Sequence, residues 1–386
     1  MTSTARSVWP LALRTETSIR RLAPLDCAPG GPLTGVEVQV LTAPDGAETT
    51  RVIVQHPDRT VDFFWPADHP LSPAEAALGA GIAYDGPADF ARAELEIGDA
   101  GLHIHVDLTD RFGRRLLLDV DSDRPWSGYD FAAPPAFGMD APTSWFQPFL
   151  TGFDILSTRE VHFSGTYGGE VFEPKLLPVP YRGGRLTMVK ACTGIVSINL
   201  LADGDPPVAV SGSPVVPGVP ETSPPGSGPA MAGGPDRIAL PDLDADGNLI
   251  RLVAGTDALP VVLTLYPPLP PAGAIRDAVR HRWELTANGI LLAGGPLNLR
   301  PAPGSRSGAA GGAGAGGVVE MALDADRAWR GVRGAGTSLA ARLITSLVPA
   351  FSWARGYHWR GGLLRGPGGD AFLEGTWTND AAKSRR

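Results

Sequence analysis

Residues 36–56 read VEVQVLTAPDGAETTRVIVQH. In Val36–Thr42 apolar and polar side chains alternate, Pro44-Asp45-Gly46 supplies turn chemistry, and Thr49–His56 alternates again. A period of two on both sides of a Pro-Asp-Gly turn predicts a β-hairpin with one face buried.

The pattern extends outward from this hairpin. Thr60–Trp65 adds a third strand, and after a short helix predicted from the capping-box spacing Ser72-Pro73-Ala74-Glu75 the alternation resumes. Ala93–Ile97, Leu102–Leu108 and Arg114–Val120 form a meander, turned at Gly98–Gly101 and Asp110–Gly113. Arg159–Ser164, Glu170–Lys175, Arg185–Lys190 and Ile195–Leu201 follow as strands.

Residues 203–235 are dominated by Pro, Gly and Ser without apolar periodicity, which predicts an exposed linker. Beyond it come Arg237–Leu240, Asn248–Val253 and Pro260–Tyr266, then Val279–Thr286 and Ile290–Arg300 around the hairpin turn Asn288-Gly289. Val318–Leu323, Gly356–Leu364 and Ala371–Thr378 complete the strands, and Leu339, Leu343 and Leu347 mark one helix face in Ser338–Val348. The expected organisation is an N-terminal β domain (1–202), a linker (203–235) and a C-terminal β domain (236–380). The fold class is all-β, two antiparallel halves of meander type, each a barrel or a sandwich. Consecutive hairpins favour barrels, which leave no exposed sheet edge.

At this architectural level, with the split into halves and the closing segment GYHWRGGLLRGPGGDAFLEGTWTN (356–379), the chain resembles two-barrel lipocalin-like proteins. Carotenoid hydratases and some cyclising enzymes belong to that group. The resemblance implies a hydrophobic ligand in a β-walled cavity, and no catalytic residue is carried over by it.

Composition agrees with a folded chain, since 386 residues suit two cores and a 43% hydrophobic, 19% charged mixture lies in the globular range. Lysine occurs only at Lys175, Lys190 and Lys383, an arginine bias typical of GC-rich coding. A net charge of −8 argues against a nucleic-acid partner. Cys27 and Cys192 are the only cysteines, too few for a disulfide framework or a cysteine-based zinc site, and they suit a reducing cytoplasm. No signal peptide or membrane span is legible in the sequence, and it does not fix the oligomeric state.

Several motifs bear on chemistry. His103, His105 and Asp107 alternate with apolar residues in LHIHVDL, so they share one strand face. His-x-His is half of a metal site, with a third ligand available from His162 or His56, but a polar strand face facing water explains the same pattern, and no metal is expected. Asp242, Asp244, Asp246 and Gly247 match the start of a calcium loop, yet Val253 stands where the bidentate Glu belongs, so an Asp-Gly hairpin is expected. Gly312, Gly314 and Gly317 satisfy G-x-G-x-x-G within a Gly/Ala tract lacking the flanking strand and helix of a nucleotide site. Neither a Walker loop nor a G-x-S-x-G elbow is present, and no cofactor is implied.

Residues 125–154 concentrate Trp126, Tyr129, Phe131, Phe137, Trp145, Phe146, Phe149 and Phe153 among prolines and glycines. The composition predicts an irregular aromatic loop that either plugs a core or walls a ligand cavity, with Asp130, Asp140 and Asp154 as polar contacts. The leading functional expectation is a hydrophobic small molecule bound under this loop. If it is transformed there, cofactor-free acid–base chemistry would draw on Asp130, Asp140, His103, His105, His162 and Tyr167. A carbohydrate-active or carbohydrate-binding protein, with exposed Trp faces and paired carboxylates, is the first alternative. A non-catalytic interaction protein is the second.

Overall fold

The computed structural model describes residues 6–43, 46–68, 81–133, 135, 144–181, 184–211, 236–257, 259–302, 319–326, 356–365 and 371–379. The helices expected from Ser72 and over Ser338–Val348, the glycine tract at 312–317, and Phe137 and Asp140 lie outside these residues. The described chain is nearly all strand, with one short 3-10 turn at Ala272–Ala274.

The opening hairpin forms as Gly35–Thr42 against Glu48–Gln55, with Val38 opposite Val52 and Val36 opposite Val54. From it the larger sheet grows in two directions. On one side lie Thr60–Pro66, Gly81–Gly98, Gly101–Thr109, Arg115–Ser122, His162–Tyr167 and Glu170–Val171. On the other lie Ile19–Asp26, Gly184–Ala191, Trp145–Ser157, Gly194–Leu200, Leu13–Glu16 and Asp236–Ile238. All pairings are antiparallel except that of Thr60–Pro66 with the first half of Gly81–Gly98.

Alternation fixes which face is inside. Val36, Val38, Val52, Val54, Ile104, Val106, Leu116, Leu118 and Val120 are buried in one cluster. Burying each such side chain contributes about 1.5–3 kcal/mol before chain entropy is counted. The sheet wraps this cluster until the chain leaving its Glu170–Val171 edge meets the end of the interior strand Ile19–Asp26, where Ala28 N–H donates to Glu173 O (2.8 Å) and Lys175 N–H to Asp26 O (2.7 Å). Cys27 and Pro174 form an isolated bridge at this seam. No continuous ladder follows, so the expected barrel closure is not made among the described residues.

The second sheet is an uninterrupted antiparallel meander of Leu240–Leu243, Leu249–Thr256, Leu259–Leu269, Val279–Ala287, Ile290–Pro301, Val319–Asp326, Gly356–Arg365 and Ala371–Asn379. Asp242–Asn248 is the expected hairpin turn: Asp244 Oδ1 accepts the Asp246 and Asn248 amides at 2.9 and 2.8 Å, and Asp242 pairs with Arg251.

The described parts of 125–154, residues 125–133, 135 and 144–154, include strand where composition predicts an irregular loop. Tyr129–Ala132 pairs with Trp145–Ser157, which itself runs between Gly194–Leu200 and Gly184–Ala191 as an internal strand. Large aromatic side chains favour a pleated, buried surface strongly enough to outweigh Pro148 and Gly152. Trp145 and Phe149 join a cluster that includes Trp283, Trp359, Trp377 and Tyr357, so one core draws on both sides of the 203–235 segment. The Trp145 ring meets those of Tyr357, Trp377 and Trp283 at 5.3, 5.4 and 6.4 Å between centroids.

The exposed linker expected from Asp203 does not begin there. Val208–Ser211 pairs with Arg6–Trp9, and Gly204 and Asp205 hydrogen-bond to Leu373 along the last strand. The rest of that stretch, 212–235, lies outside the described residues.

Candidate functional site

Two turns of like construction meet at one end of the larger sheet. In the first, His56 N–H donates to Thr60 O (2.9 Å) and Arg59 N–H to His56 O (3.1 Å); in the second, Asp110 N–H donates to Arg114 O (2.9 Å) and Gly113 N–H to Asp110 O (3.0 Å). The fourth residue of each lies in the left-handed region, Gly113 at φ +77° and Arg59 at φ +68°. Glycine adopts that conformation freely, whereas arginine there stores strain.

Between these turns lies an open concavity of about 450 Å³. His56, Asp62, Arg111, Phe112 and Arg114 are among its lining residues. His56 Nε2 is 2.8 Å from Oδ2 of Asp62, whose side chain is only 6% exposed. His56 Nδ1 hydrogen-bonds to no described residue. Arg114 Nε donates to Asp110 Oδ2 at 2.7 Å, and its Nη2 lies 3.7 Å from Asp62. Tyr167, deep beside them, donates its hydroxyl to the same Asp110 oxygen at 3.1 Å. Arg111 stacks over the rings of Tyr84 and Phe112, at 4.2 and 4.5 Å, and makes no ion pair with a described residue. Phe112 is 64% exposed at the rim.

The electrostatics follow from these contacts. Burial opposes the charge on Asp110, but hydrogen bonds from the Arg114 backbone and guanidinium and from the Phe112 amide outweigh it and hold the carboxyl below its usual range. Burial pushes the Tyr167 phenol up, so it stays a protonated donor. An imidazole held by a buried carboxylate beside a guanidinium without a carboxylate partner can accept a proton from a bound anion, or simply bind that anion.

A second cluster lies on the outer face of the same sheet. Leu102, Ile104 and Val106 point inward, and His103, His105 and Asp107 outward, as alternation requires. Register sets Asp121 opposite His103 and Asp119 opposite His105, with His162 opposite Asp121 on the next strand. His103, His105 and Asp121 each offer one ligand atom within 4.8 Å of the others. The Asp121 carboxylate, accepting a hydrogen bond from the ring, is the main cause holding the His103 imidazole above its ordinary value.

The residues singled out from sequence are therefore dispersed. Tyr167 is buried behind the concavity on Asp110 and does not line it, whereas His162, five positions earlier on the same strand, faces the other way and is exposed. Asp130 accepts from Asn288 Nδ2 at 3.2 Å, far along the chain from either cluster. Asp154 pairs with Arg124 at 2.7 Å. Among the aromatic residues, Trp145 and Phe149 are core, Phe131, Phe153 and Tyr129 pack in a separate cluster, and Trp126 lies against the first core with its indole N–H donated to Gly152 O. Phe146 is half-buried beside them on the Trp145–Ser157 strand. None of them lines the concavity at the His56 and Asp110 turns. Of the described tryptophans, Trp65 and Trp126 are half-buried and the others buried.

Asp62, Asp110, Arg111 and Arg114 were not foreseen in this role. Asp62 had a legible signal, a carboxylate at a core position inside the apolar run Val61–Phe64. Glu37 is a further case: it alternates with Val36 and Val38, and burial pushes its carboxyl up beside Gln39 and Arg51. Both cysteines are free and buried, their thiols pushed up to about 12 chiefly by burial. No described helix is long and apolar enough to cross a membrane. Comparisons with family profiles, with curated proteins and with solved structures found no match, and the geometry alone carries the functional reading.

Proposed function

We propose that the concavity between the His56–Thr60 and Asp110–Arg114 turns binds a small molecule carrying a carboxylate and an apolar ring, with His56 as its general base. The observation that supports this most is the His56–Asp62 pair at 2.8 Å beside Arg111, whose guanidinium lies over the rings of Tyr84 and Phe112 and pairs with no carboxylate among the described residues. Arg111 would take the carboxylate, Phe112 the ring, and Asp62 would orient the imidazole and stabilise its cation. Tyr167 and Asp110 would hold Arg114 in place.

Benzoate is the probe for this reading, titrated calorimetrically into the full chain. Saturable binding that is lost in Arg111→Gln and retained in Arg115→Gln supports it. No saturable binding, or equal loss in both variants, overturns it.

A hydrophobic ligand remains the second reading, moved from the aromatic segment to the seam of the larger sheet. There a concavity of about 620 Å³ is lined by Val161, Phe163, Pro174 and Leu176 among others, and Leu176 is exposed. We read the two curled meanders as relatives of lipocalin-like barrels left unclosed, in which such a seam is the entrance to the apolar interior. A fluorescent hydrophobic probe should bind there and be lost on Leu176→Asp. Probe binding unaffected by that change would contradict the reading.

A further inference from the structure

We infer that His103, His105 and Asp121 form a binding site for one divalent transition-metal ion of the zinc class, on the solvent face of the Gly101–Thr109 and Arg115–Ser122 strands. The argument begins with the outer nitrogen of each ring. His105 Nδ1 is 2.8 Å from Asp119 Oδ1, and His103 Nε2 is 3.2 Å from the carbonyl oxygen of Ala100. A carboxylate and a backbone carbonyl are acceptors only, so a proton on each outer nitrogen is donated to them, and on His103 this tautomer competes with the one that gives the Nδ1 proton to Asp121 at 3.0 Å. Ligating histidines are held in this way, by a carboxylate or carbonyl behind the ring that fixes its tautomer.

With the protons on the outer nitrogens, the inner nitrogens are left as acceptors. His103 Nδ1 and His105 Nε2 lie 3.0 and 3.4 Å from the same atom, Asp121 Oδ1. Three lone-pair donors converging at that range repel one another unless a cation joins them. The cation is either a second proton on an imidazole or a metal ion, and two nitrogens with one carboxylate oxygen are a ligand set that zinc accepts. The fourth position is left to water or to His162, opposite Asp121 on the neighbouring strand.

The backbone makes this arrangement reproducible. Both histidines stand on one strand, and Asp121 and Asp119 stand directly opposite them, at the cross-strand separation of about 4.5–5.5 Å between Cβ atoms. The buried Leu102, Ile104, Val106 and Val120 beneath lock the register, since a slip by one residue would turn every ligand inward.

The test uses the full chain, stripped with chelator, titrated with Zn²⁺ and separately with Co²⁺. One equivalent of zinc should bind, and cobalt should give the visible absorption of a low-symmetry four-coordinate site. His105→Gln and Asp121→Asn should abolish stoichiometric binding with the melting temperature of the stripped protein nearly unchanged, because all three side chains face solvent. Asp119→Asn, which removes only the carboxylate behind His105, should weaken affinity about 10–100-fold. The inference is overturned if wild-type protein takes up no stoichiometric metal, or if uptake is unaltered in the His105 and Asp121 variants. It is equally overturned if nitrogen NMR finds an imidazolium at neutral pH that zinc does not displace.

Discussion

Replacing Trp145 with alanine removes the side chain around which the shared core is assembled. The indole is fully buried, three aromatic rings meet it within 6.4 Å, and its Nε1–H is donated to Gln147 Oε1 at 3.2 Å. Deleting a buried large aromatic costs about 3–5 kcal/mol, with the upper end expected where neighbours cannot collapse into the space. Trp283, Tyr357 and Trp377 are each tied by a hydrogen bond to a backbone carbonyl and so resist such collapse. Gln147, itself buried, loses its donor as well, a further cost of about 1–3 kcal/mol. A loss near 5 kcal/mol is comparable with the whole stability of a domain at the low end of the usual 5–15 kcal/mol, roughly stated. Trp145 precedes the 203–235 segment while its ring partners follow it, so both parts of the chain should lose stability together. Urea unfolding followed by tryptophan fluorescence and by far-ultraviolet circular dichroism measures this, with Trp145→Phe as the milder comparison. A cost below about 1 kcal/mol, well under the range for a buried aromatic, would refute the reasoning. So would a transition that splits, with one part of the chain unaffected.

Other substitutions test the local geometry. A Cβ at Gly101 would lie 1.7 Å from Ser122 O at a φ of +116°, so Gly101→Ala should prevent the hairpin that carries His103 from forming and lower the yield of folded protein, as read by gel filtration and melting. Arg59→Gly relieves the left-handed strain at φ +68° and should raise stability by about 0.5–1 kcal/mol, the strain released less the extra chain entropy of glycine; a destabilised variant would contradict this. Asp110 has a carboxyl pKa held below its unfolded value, so its stabilising contribution is fully present above about pH 3.9 and is lost as pH falls through the folded value. The stability gap between wild type and Asp110→Asn should therefore be constant near neutrality and shrink in acid; a gap that widens in acid would reverse the assignment.

Much of the fold was legible because the strands alternate. Gly35–Thr42, Gly101–Thr109 and Val279–Ala287 appear within a residue or two of their expected bounds, since each shows one apolar face to a core. Ile19–Asp26 was missed because Arg20, Arg21 and Pro24 obscure its period, although Leu25 is buried. Tyr129–Ala132 and Trp145–Ser157 misled through composition: proline and glycine signal loops locally, but tertiary burial of Trp145 and Phe149 decided the outcome. The His103–His105 face was legible on its own strand. Its acidic partner was not, because Asp121 reaches His103 through register, and strand pairing is not written in either segment alone. The concavity was less legible still, since His56, Asp62 and Arg114 meet only after two turns approach each other in space.

The central claim is that His56, oriented by Asp62, faces a bound anion held by Arg111. Proton–nitrogen correlation NMR of the imidazole, with and without benzoate, addresses it most directly. The account predicts that His56 Nε2 carries the proton donated to Asp62, and that benzoate shifts the His56 Nδ1 and Phe112 resonances in a saturable manner abolished by Arg111→Gln. A proton on Nδ1 in the free protein, or resonances that do not move at saturating benzoate, would contradict it.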